Sequence, residues 1–127
     1  MKSRLNAYAP IILGLTRIMA GLLFLAHGTQ KMFQFPATDW SPEFLSQFWW
    51  AGVIETVTGC LIAVGFQTRP AAFLASGTMA AAYWIAHAPD DFFPVNNNGD
   101  AAILFCFFFL YLVFAGPGKL SLDGARG

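Results

Sequence analysis

Six ionisable side chains stand within or at the ends of apolar stretches: Arg17, His27, Lys31, Glu55, His87 and Asp100. Together they supply acids, bases and cationic hydrogen-bond donors. Groups of this kind in a low-dielectric pocket can hand protons to a carbonyl oxygen. The chemistry they suggest is capture of a quinone or small aromatic molecule. His27, Lys31 or Gln30 would hydrogen-bond its oxygens, and His87, Glu55 or Asp100 would move protons. Tyr83 and Trp84 would wall the pocket. No motif for a redox cofactor is visible, so the electrons would come from a partner. No close His/Asp/Glu spacing repeats within a helix, so no metal site is expected.

Each residue also has a structural reading. An unpaired charge in hydrocarbon costs at least ~2.5–3.5 kcal/mol, so Arg17 and Glu55 each need a partner or water. The Glu55 carboxylate is expected to face Arg17, Lys31 or both, with Arg17 and Glu55 as a structural ion pair. Histidines at a membrane interface can bond a loop carbonyl, and a lysine near a helix end can snorkel to the headgroups. Asp100 suits a helix N-terminus. A pair between Arg69 and Asp123 is expected on the other side.

The elements that must position these residues are long apolar helices. The 127 residues are 57% hydrophobic, 17% aromatic and 11% charged, against about 25% charged in soluble domains. Mean hydropathy is +0.56. A chain this short cannot hide so much apolar surface in a soluble core. The formal net charge is zero, which gives no reason to expect nucleic acid as a partner. Cys60 and Cys106 stand apart, so no dithiol or zinc motif is present.

Four segments, roughly 9–33, 48–66, 70–88 and 100–116, are predicted spans, and the fold class is all-α: an integral membrane four-helix bundle. The first is read as an uncleaved span, because Arg17 interrupts it and no good cleavage site closes it. Ser41, with Pro42 and Glu43 after it, is expected to cap a helix leading into the second span. Lys2, Arg4, Arg69, Lys119 and Arg126 fall on one side and Lys31 on the other, so both termini are predicted to be cytoplasmic. The chain reads as one domain, 1–127, of a multi-pass protein in the bacterial inner membrane, with the lipid bilayer as its first partner.

Periodicity assigns faces. Arg17, Gly21, Phe24, Gly28 and Lys31 share one on the first helix. Gly52, Thr56, Gly59 and Ala63 form a small-residue stripe beside Glu55. Ser76, Ala80, Tyr83 and His87 share a face of the third helix, and Asp100, Leu104, Phe107 and Tyr111 one of the fourth. With alternating span direction, His27, Lys31, Glu55, His87 and Asp100 all come to the outer half.

The segments RIMAGLLFLAHGTQKMF, AGVIETVTGCLIAVGFQTRPAAFLASGTMAAAYWIAHAP and FFPVNNNGDAAILFCFFFLYLVFAGPGKLSLD resemble, in order, the DoxX family of small bacterial membrane proteins. His27, Gly28, Gln30 and Lys31 match its first motif. Glu55, Gly59, Gly65, Thr68, Arg69 and Pro70 match its second, and His87 the polar end of the third span. At Asp100 the family usually has glutamate. The resemblance implies a four-span inner-membrane protein, with relatives linked to quinone-coupled thiosulfate oxidation or to thiol-stress systems. It makes the chain a candidate subunit of a quinone-linked oxidoreductase, acting with a soluble redox enzyme or as a homo-oligomer. The alternatives are a non-enzymatic membrane scaffold for such an enzyme and a small-solute carrier. Paired cysteines of some redox-associated relatives are missing here.

Overall fold

The structure is a computed structural model describing residues 2–126. Helix α1 spans Lys2–Phe33 and α2 Gln47–Val64. Helix α3, Thr68–Ala82, runs into a π-helical turn at Tyr83–His87. A short α4 (Pro94–Asn97) precedes α5 (Asp100–Ala115) and α6 (Leu122–Arg126). Among the described residues there is no strand.

At ~1.5 Å per residue α1 is about 48 Å long, well beyond the ~30 Å of a hydrocarbon core. Helix α2 starts later than Ser41. Leu45 has φ +68°, a left-handed conformation no helix can run through, and Ser46 is the cap, its Oγ accepting from Trp49 N at 3.2 Å. Gly65, at φ +72°, closes α2. Its N–H bonds Ile62 O at 3.1 Å and that of Phe66 bonds Leu61 O at 2.9 Å.

The four long helices pack in a circuit. Helix α1 lies on α2, α2 on α3 and α3 on α5. Helix α5 returns to α1 through Phe24, whose ring sits 4.9 Å from Phe109 and 5.4 Å from Phe105. The buried face of α1 is Gly14, Arg17, Gly21, Phe24 and Gly28. Against it α2 buries Gly52, Glu55, Gly59 and Ile62. This interface is nearly backbone on backbone. A Cβ added at Gly21 would stand 2.6 Å from Ala63 N, and one at Gly59 2.8 Å from Leu25 Cα. Ser76 of α3 donates to Cys106 O of α5 at 2.8 Å.

The face of α5 differs from the expectation. Asp100, Leu104, Phe107 and Tyr111 are exposed, whereas Ala102, Phe109 and Leu112 are buried. This helix is apolar all round, so periodicity selects no face, and its few polar residues point to the wrong one.

Outside, the helices are apolar. Only 22% of the most hydrophobic window of α1 and 28% of that of α2 is buried, unlike the core helix of a soluble protein. Both are long and apolar enough to cross a membrane, and α5 is a shorter apolar helix.

The expected pair of Arg17 with Glu55 does not form. Antiparallel packing sets Gly21 beside Ala63 and Gly28 beside Glu55 and Thr56. Glu55 therefore lies about 16 Å further along α1 than Arg17, at ~1.5 Å per residue. The fully buried Arg17 instead donates to backbone carbonyls: Nε to Ile62 O (2.9 Å), Nη1 to Lys119 O (3.1 Å) and Pro117 O, and Nη2 to Leu120 O (2.7 Å). The strap 116–121 thus crosses one end of the molecule, and Lys119 N also bonds Pro10 O at 2.9 Å. Asp123 does not take Arg69. Its carboxylate accepts from Gln67 N (2.9 Å) and Thr68 N (3.0 Å), capping α3. Arg69 donates to Val113 O (3.1 Å) and Phe114 O (3.2 Å) at the end of α5, where a cation suits the exposed carbonyls.

Candidate functional site

At the other end, a cavity of about 330 Å³ opens between α1, α2, α3 and α5. His27, Lys31, Glu55 and His87 all line it. His27 and Lys31 are four residues apart and so project from the same side of α1. Glu55 comes from the small-residue stripe of α2, where Gly28 and Gly52 let the helices approach closely enough to bury it. The π-helical turn, closed by Ala88 N to Tyr83 O at 2.8 Å, brings Ala86 and His87 to the cavity below Ala82. Such turns often mark functional positions.

Lys31 Nζ donates to both Glu55 oxygens, at 2.8 and 3.2 Å. The Glu55 side chain is 3% exposed and that of Lys31 18%, so the carboxylate is buried and its partner reaches the cavity space. His87 Nδ1 lies 2.9 Å from Asn97 O. A carbonyl only accepts, so Nδ1 carries the proton and Nε2 of a neutral ring is left as an acceptor. His27 is exposed at the mouth, its ring edge-on to Phe105 at 6.0 Å.

Three aromatic rings complete the lining. Phe105 comes from α5 and Phe48 from α2, with Trp40 of the 34–46 loop edge-on to Phe48 at 6.0 Å. The cavity can take a flat ring among aromatic side chains, with cationic and imidazole donors for its oxygens. A volume near 300 Å³ is at the small end of ligand sites.

Other expected site residues lie elsewhere. Asp100 is exposed in the first turn of α5, where the helix dipole favours its charge. Trp84, 69% exposed, points away from the cavity. Gln30 donates to Pro36 O at 3.3 Å and holds the loop after α1. Tyr83 Oη accepts from Asn97 Nδ2 at 3.1 Å, and its ring covers Gly99, where a Cβ would meet Tyr83 Cε1 at 2.5 Å.

Asn97 lies in the asparagine run 96–98, whose residue type suits a turn, and it does more than form one. Its side chain also donates to Asp91 O (2.9 Å) and accepts from Gly99 N (2.9 Å), while its carbonyl holds His87. Its placement after the proline that opens α4 is the sequence signal. Trp40, Phe48 and Phe105 had none, since each is one aromatic among many. No cluster of metal-ligating side chains occurs among the described residues.

A family model described as DoxX matches residues 12–88. An uncharacterized protein of Haemophilus influenzae is 38% identical over 131 aligned residues, covering 95% of this chain and 95% of its own. No solved structure matches.

Proposed function

The chain belongs to the DoxX family, which is membrane-associated, and on that premise we propose that it spans the inner membrane four times, with both termini in the cytoplasm, and binds a quinone or small aromatic in the cavity near its outer face. The carrying observation is the convergence of His27, His87 and the Lys31–Glu55 pair with Trp40, Phe48 and Phe105 on one cavity of about 330 Å³. Lys31 Nζ is charged and can donate to a ligand oxygen while keeping one bond to Glu55. His87 Nε2 accepts a proton from a bound hydroxyl, or donates one when the ring is protonated, with Asn97 O fixing the opposite nitrogen. Reduction of a quinone needs two electrons with two protons. The protons pass through this set, and the electrons come from a redox enzyme that docks on the membrane.

Purification in mild detergent and mass spectrometry of the extracted lipids tests the reading. The wild type should retain a quinone well above its share in the bulk lipid. His27→Ala and His87→Ala, folded as judged by circular dichroism, should lose it. Equal quinone content in all three would leave the second reading, a scaffold for a redox enzyme whose buried charges only fix helix register.

A further inference from the structure

The polar cavity has an apolar neighbour. Between α1 and α5 runs a groove of about 630 Å³, lined by Ile12, Leu15, Met19, Leu23, Leu104 and Phe108 among others. Its hydroxyl, that of Thr16, donates its one proton to Ile12 O at 2.8 Å and has none left for a ligand. From Ile12 to Leu23 the groove follows α1 for about 16 Å, at ~1.5 Å per residue. Ala101 and Phe105 line both the groove and the polar cavity. Ala101 is small and exposed, and Phe105 lies beside His27 at the cavity mouth. The two spaces therefore meet at one wall, one of them polar and ring-sized, the other apolar and elongated.

We infer that the α1–α5 groove holds the alkyl or prenyl tail of an amphiphile whose ring head occupies the polar cavity, with Ala101 and Phe105 forming the passage between them. The inference rests on the head-binding reading above and adds a second subsite to it. Two spaces that share a wall at Ala101 and Phe105 can take the two ends of one molecule. The head must come from within the bilayer, and an apolar track ending at Ala101 and Phe105, whose ring meets that of His27, gives it a route that never exposes the tail to water. Ordinary membrane lipid would fill the same groove without using the cavity, so the test separates a tethered tail from a loose one.

The protein in lipid nanodiscs is exposed to two photoactivatable probes with identical decyl tails bearing a terminal diazirine. One carries a benzoquinone head and the other a plain hydroxyl. Cross-linked residues are mapped by mass spectrometry. The headed probe should label α1 and α5 groove residues about ten-fold more than the lipid-facing Phe73 and Leu74 of α3, because a tail tethered by its bound head meets the groove at high effective concentration. Excess tailless benzoquinone analogue should remove that enrichment. Leu104→Trp, which fills the groove at an exposed position, should remove it too while leaving binding of the tailless analogue unchanged. A labelling pattern equal to that of the hydroxyl probe overturns the inference, as does groove labelling that the tailless analogue does not displace. The head-binding reading fails separately, if the tailless analogue binds the wild type no better than the His27→Ala variant.

Discussion

Two cations carry the polar interior, in different ways. Among the described residues Lys31 has one partner, the Glu55 carboxylate at 2.8 Å. Removing it by Lys31→Met strands a buried carboxylate, which should cost roughly 3–5 kcal/mol. Lys31→Met combined with Glu55→Gln should recover a large part of that. Thermal unfolding in one detergent measures both, and equal losses in single and double variants would deny the coupling. Arg17 has carbonyl partners only a planar, many-donor fork can reach together. Arg17→Lys keeps the charge yet should lose at least one charged hydrogen bond, about 1.5–3 kcal/mol. It should also speed deuterium exchange of the Lys119 amide, which bonds Pro10 O. Unchanged exchange there would mean that the strap is held without the guanidinium. The sequence makes both cations conspicuous, since charges in apolar runs demand explanation. It could not reveal the partners of Arg17, because a carbonyl has no residue identity and every position carries one.

The helices themselves were legible. Length, hydropathy and breakers located the four long ones to within a few residues, apart from the earlier start of α1, but gave no sign of the short α4 and α6. The glycine spacing on α1 and α2 marked their shared face, because only one periodicity places those small residues together. The face of α5 was not legible, for want of polar contrast, and neither was the π-helical turn, which no residue type announces. The α1–α2 contact yields a paired prediction. A Cβ at Gly28 would meet Thr56 N and Oγ1 at 2.5 Å, so Gly28→Val must push the helices apart, with a loss of about 1–3 kcal/mol or more by overpacking. Nothing lies within 4 Å of a Cβ at Gly77, so Gly77→Ala should stabilise α3 by up to ~1 kcal/mol through helix propensity alone. Melting temperatures in detergent should move in opposite directions, and a matched fall would undo the packing argument.

At the scale of the whole molecule, the proposed orientation puts the 88–99 loop outside and the Arg17 end inside. In a background with Cys60→Ser and Cys106→Ala, Asp90→Cys should react with a membrane-impermeant maleimide on intact spheroplasts. Ser121→Cys should react only after the membrane is opened, and the reverse pattern would invert the topology. The positive-inside bias reads this direction from sequence, whereas the cavity needed three dimensions, because its lining comes from four helices and a loop. The carbonyls that satisfy Arg17 from the strap include that of Pro117, a hundred positions downstream. During synthesis Ile62 O is the first of the four carbonyls around Arg17 to emerge, and the other three follow only with the strap. A chain cut short before Pro117 would keep the four long helices yet lack three of the four carbonyls that hold Arg17, so the last residues of the sequence finish the interior of the first helix.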